Sequence, residues 1–164
     1  MSAIFDFCHW LNGTDISTAI RESTLAFPLI EGTHLLAIGV SAGTIAFTDL
    51  RLMGVVMKKD PASKVLKALL PFAIGGFIVV LITGLLLFLA EAQKSYGNLW
   101  FRFKLCFLVA AGLNALVFHA GIYRRMNKWD SDDMPPGKAR MAGALSLFLW
   151  AMVIWLGRQF AYSS

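Results

Sequence analysis

LIEGTHLLAIGVSAGTIAFTDLRLMGVVM, residues 29–57, decides the fold class. A helix needs roughly 20 residues to cross ~30 Å of hydrocarbon, and this apolar run exceeds that length. On a helical wheel, Ile30, His34, Ala37, Ser41, Thr44, Thr48 and Arg51 fall on one stripe of mostly small and polar side chains. Acyl chains cannot solvate such groups, so the stripe is expected to face other helices or a ligand. Gly39 and Gly43 form a GxxxG on another side, where the missing side chains let a second backbone approach. Two packing faces suit the central member of a bundle.

Three further apolar runs follow, with spans expected over about 65–92, 99–122 and 138–162. MKKDPASK separates the first two spans, a Tyr96-Gly97-Asn98 turn precedes the third, and YRRMNKWDSDDMPPGK, broken by Pro135-Pro136-Gly137, leads to the fourth. Connections this short predict an all-α membrane protein, an antiparallel four-transmembrane-helix bundle over residues 29–162. Pro71, Gly75 and Gly76 predict a kink in the second span. Residues 1–28 are too short and too polar to cross. Phe5, Phe7 and Trp10 suit the interface, Thr14 can cap a helix beginning at Asp15, and Pro28 introduces the first span. A short interfacial amphipathic N-terminal segment is the expectation.

The composition, 57% hydrophobic and 15% charged, excludes an ordinary soluble domain. The net charge of +5 comes from Lys and Arg concentrated in the first and third loops, which explains the basic excess by topology and removes nucleic acid as a partner. By the positive-inside rule both termini face the periplasm. The N-terminus lacks a basic n-region and a clean apolar h-region, so the first span is expected to act as its own insertion signal. Cys8 and Cys106 read as two free thiols, with a disulfide between them as the alternative. No GxSxG, HExxH or GxxxxGK[ST] motif occurs.

The polar residues at depth form two layers. Glu31, His34, Glu91 and Arg158 lie near the outer surface; Asp49, Arg51 and His119 lie near the cytoplasmic one, with Asn114 placed to hydrogen-bond across the bundle. At ~1.5 Å per residue, His34 and Asp49 are about 22 Å apart, so these are separate sites. Ion pairing gives one reading: Glu31 or Glu91 with Arg158, and Asp49 with Arg51, Arg124 or His119. A second gives His34 a metal: one b-type haem near the outer surface, held axially by His34, with His9 as the other ligand if the N-terminal segment folds over the outer mouth. Arg158, Arg102 or Arg21 would then neutralise propionates. A transmembrane di-haem site needs four histidines, and the chain has three.

Residues 20–54, ITGLLLFLAEA (82–92), FRFKLCFLVAAGLNALVFH (101–119) and GALSLFLWAMVIWLGRQFAY (143–162) resemble a family of small bacterial inner-membrane proteins known only as a domain of unknown function. The resemblance implies four spans in the bacterial inner membrane. It implies no reaction and no catalytic residue. The functional expectation is an integral membrane redox-linked or accessory subunit, with haem b as its cofactor and no enzyme activity of its own. The alternatives are a structural or assembly subunit docking a membrane partner, or a second copy of itself, through the Gly39/Gly43 face, and a small transporter.

Overall fold

The computed structural model describes residues 3–130 and 134–163, and every regular element among them is helical. The elements are α1 (Ala3–Asn12), α2 (Asp15–Glu22), α3 (Ala26–Leu52), α4 (Ala62–Ala90), α5 (Ala92–Gly97), α6 (Leu99–Val117) and α7 (Gly137–Tyr162). After α6 the chain widens into a π turn, Phe118–Ile122, then tightens into a 3-10 stretch, Tyr123–Lys128. Four of these helical stretches are long and apolar enough to cross a membrane: α3, α4, α6 with its continuation, and α7. Large apolar side chains such as Phe72, Ile78, Ile82 and Leu85 stand exposed along α4. A helix that apolar and that uncovered is a lipid-facing one, and the chain is a membrane protein.

Local chemistry sets the helix ends. The Ser23 hydroxyl accepts from the Ala26 amide at 2.9 Å, and Pro28 occupies the first turn of α3, where its missing N–H costs nothing. The helix therefore begins three residues before the apolar run does. It also ends five residues early, at Leu52 and not Met57. Gly54 takes φ 74°, its amide reaches the Arg51 carbonyl at 3.0 Å, and the Val55 amide reaches back to Leu50 at 2.9 Å. These are the paired bonds of a Schellman stop, which a residue in the left-handed region permits and glycine supplies without strain. Thr14 caps α2 and Asn98 caps α6, each accepting a backbone amide through its side-chain oxygen. The helix of α4 is uninterrupted through Pro71.

α3 is the hub, packing mainly on α4 and secondarily on α7, while α6 packs on α7. Along α3 and α4, His34 meets Thr83 and Ser41 meets Ala73. Along α6 and α7, Asn98 meets Ser163 and Asn114 meets the Ala142 carbonyl. The stripe read from the sequence is the buried one: His34, Ala37, Ser41 and Arg51 are all interior. The GxxxG reading needs correcting within the chain. Nothing lies within 4 Å of where a Cβ would stand on Gly39 or Gly43. The close crossings use glycines of the partner helices. A Cβ on Gly76 of α4 would lie 3.0 Å from Ser41 Cβ, and one on Gly143 of α7 would lie 2.9 Å from the Asp49 carbonyl oxygen.

Both ends of the helical assembly are tied by polar bonds. At one end, Arg21 and Ser17 of α2 donate to the Ala90 carbonyl at the close of α4. A cation there suits the negative end of the helix. Arg21 also bonds the Asn12 carbonyl, so it serves the backbone. At the other end, Asp130 captures the start of α4: its carboxylate accepts from the Ser63 amide and hydroxyl, both at 2.6 Å, and its carbonyl accepts from the Ala62 amide at 3.0 Å. Beneath this clasp Leu52, Leu66, Phe118, Met126 and Trp129 form a buried apolar cluster, each large side chain contributing roughly 1.5–3 kcal/mol on burial. Met126 and Trp129 belong to the connection YRRMNKWDSDDMPPGK; its residues 131–133 lie outside the described residues. Cys8 is buried and Cys106 exposed, and both are free thiols, which removes the disulfide alternative.

Candidate functional site

The backbones of α4 and α6 stay apart along most of their length, and the two helices meet at one end through the stacked rings of Phe88 and Phe101 at 5.7 Å. Between them lies a cleft of about 300 Å³, walled by α3 and α7 at the back. Leu70, Ile74, Phe77, Leu108 and Trp150 make one end apolar, and Phe77 and Trp150 meet edge to face at 6.0 Å. Thr48, Asp49, Asn114, Ser146, His119 and Tyr123 bring polar groups to the other end. The volume is at the lower limit of known ligand pockets, which are mostly apolar with a few convergent polar groups.

Asp49 is the unusual member. It is 5% exposed, and its Oδ2 is buried without a hydrogen-bond partner among the described residues. The Ser146 side chain of α7 interacts with the carboxyl. Arg51, the partner expected for Asp49, turns to the loop between α3 and α4 instead. Arg51 is 0% exposed, and its Nε and Nη2 donate to the Asp60 carbonyl at 3.1 and 2.7 Å, pinning the loop between α3 and α4. Two positions along a helix turn a side chain by about 200°, so Arg51 points away from Asp49. His119 sits in the π turn, and its Nδ1 bonds the Ala115 carbonyl at 2.8 Å, a local bond to an acceptor at the widening of the helix. Asn114 bridges to α7 as expected, donating to the Ala142 carbonyl at 3.0 Å.

The outer polar layer is differently arranged. His34 Nδ1 lies 2.8 Å from the Thr83 hydroxyl, and that hydroxyl donates to the Val79 carbonyl at 2.6 Å. Thr83 therefore accepts from His34, which assigns the proton to Nδ1 and leaves Nε2 as the basic nitrogen. Gly84 lies against the ring; a Cβ there would stand 3.1 Å from Cε1. Lys104 of α6 lies near enough to act on His34 electrostatically, with its ammonium packed on Gly157 of α7. The pairing expected of Arg158 is replaced: it donates to the Tyr162 hydroxyl at 2.7 Å and stacks over that ring at 4.5 Å. Glu91 instead pairs with Lys94 at 3.3 Å, and Glu31 is exposed on α3. His9 is exposed on α1. No cluster of three or more His, Cys, Asp or Glu residues suited to a metal ion occurs among the described residues.

Sequence reasoning missed Thr83, Ser146 and Lys104. Each acquires meaning only from the residue it meets on another helix, and no spacing within its own helix marks it.

The apolar helices and the open cleft define a helical membrane protein with a ligand-sized space between its helices. The chain belongs to a family of unknown function, DUF6644, whose sequence profile matches residues 24–163. No curated protein and no solved structure matches it.

Proposed function

We propose that the chain is an integral membrane accessory subunit, an antiparallel four-helix bundle of the bacterial inner membrane whose cleft takes up a lipid-soluble ligand. The observation that carries this reading is the gap between α4 and α6, apolar along most of its wall with a few polar groups gathered toward one end. The opposed order of the pairings His34–Thr83 and Ser41–Ala73, and of Asn98–Ser163 and Asn114–Ala142, supports the antiparallel arrangement. Both termini face the periplasm, with α1 and α2 lying in the interface, on the argument from basic loops. A lipid-soluble carrier of electrons is one such ligand, which keeps the subunit redox-linked. A protein partner, or a second copy, would approach on the uncovered Gly39 and Gly43 face.

A photoreactive adamantyl diazirine added to liposomes tests the cleft. Gly112 lines it and has open space where a side chain would begin, so Gly112→Phe fills the cleft without disturbing the helix. Adducts on residues 70–77 and 108–115 are expected in the wild type and to fall severalfold in the variant. Labelling spread evenly over the apolar helices and indifferent to Gly112→Phe would refute the reading.

The His34 tautomer favours a second reading, a b-type haem that His34 Nε2 would hold, because an Nδ1–H bond to a neighbour is what orients a ligating imidazole. The purified protein would then show a Soret band and a reducible α band on adding dithionite, both lost in His34→Ala. A colourless, fully helical preparation excludes haem from the isolated chain.

A further inference from the structure

The cleft's most demanding feature is a carboxyl without a counter-charge among the described residues. Asp49 is 95% withdrawn from solvent by its 5% exposure, and its Oδ2 takes no hydrogen bond among the described residues. A carboxylate placed in hydrocarbon is costly unless something compensates it. The neighbouring side chains do not supply that compensation in full. Ser146 offers a hydroxyl, His119 is bonded to the Ala115 carbonyl, and Arg51 is turned toward the loop and holds the Asp60 carbonyl with two of its nitrogens.

We propose that the ligand of this cleft is a lipophilic cation, with its charge beside Asp49 and its apolar body against the apolar wall that includes Phe77 and Trp150. The inference rests on the cleft being a ligand site. Two features converge on it. The carboxylate favours a positive charge, and the rest of the wall is mostly apolar and accepts an apolar body. A neutral hydrogen-bond donor satisfies the first feature only in part. A lipophilic anion would be repelled. Such a ligand reaches the site from the bilayer, between α4 and α6, without crossing water.

The experiment uses the full chain in a neutral detergent, with tetraphenylphosphonium as the probe, its size-matched anion tetraphenylborate, and neutral duroquinol. Equilibrium dialysis is expected to show saturable binding of tetraphenylphosphonium near one per chain, and no saturable binding of tetraphenylborate. This comparison needs no variant, so it stands even if a substitution fails to fold. Asp49→Asn, a near-isosteric change, should weaken the cation about tenfold or more, while Asp49→Glu retains most of the affinity. If tetraphenylphosphonium binds the wild type and Asp49→Asn equally, the assignment of the charge to Asp49 is wrong. If duroquinol or tetraphenylborate binds in its place and Gly112→Phe abolishes that binding, the cleft stands and the cation class falls. If no probe binds in a way that Gly112→Phe blocks, the cleft is not a ligand site and both inferences fall together.

Discussion

Replacing Gly143 by leucine is expected to unseat α7 from α3 and to cost about 3 kcal/mol or more of stability, the upper range for overpacking a rigid contact. The first carbon of the new side chain would already stand 2.9 Å from the Asp49 carbonyl oxygen and 3.3 Å from Leu52 Cβ. A backbone oxygen inside a helix cannot swing aside as the tip of a lysine can, so the helices must separate. Thermal unfolding in detergent, followed by helical signal and by monodisperse elution, should show a fall of many degrees or no folded protein. Gly39→Leu is the matched control. Nothing stands within 4 Å of that position, and the same substitution should leave the isolated chain's melting temperature nearly unchanged. Equal damage from the two would mean that α3 and α7 do not cross at Gly143.

Arg51→Met should rank next, at about 3 kcal/mol. The guanidinium is wholly buried and gives two bonds to the Asp60 carbonyl, at 3.1 and 2.7 Å. Methionine keeps much of the apolar stem but leaves that carbonyl unsatisfied, and hydrogen bonds to charged groups contribute roughly 1.5–3 kcal/mol each. The loop between α3 and α4 would loosen first. Limited proteolysis at Lys58 and Lys59, both exposed, reads this directly, and faster cutting there at temperatures below global unfolding is the expected result. Unchanged cutting with unchanged stability would show that Arg51 is not the anchor of the loop.

The residues that could be read in advance are those whose evidence lies within one helix. His34, Ala37, Ser41 and Arg51 announce a buried stripe because a polar residue at depth must face protein, and their common side follows from the helical period alone. Thr14 announces the start of α2 for the same local reason. The misreadings share the opposite property. Gly39 and Gly43 look like a crossing, yet a small residue marks one only when a second helix lies over it; Gly76 and Gly143 have that neighbour. The apolar run to Met57 hid the stop at Gly54, because hydropathy continues where the backbone does not. Asp49 and Arg51 look like a pair by proximity in sequence, but they sit on different sides of the helix. The cleft is a gap between α4 and α6, and a gap has no residue of its own to announce it.

The Asp130 clasp also bears on how the chain is assembled. Residues 26–90, which hold α3 and α4, are synthesised before residue 130, so the amides of Ala62 and Ser63 begin life without the carboxylate and carbonyl that later receive them. The first helical pair is made with its seam unfinished. Those amides gain their acceptors only when Asp130 arrives, and the second pair is the one that completes the first.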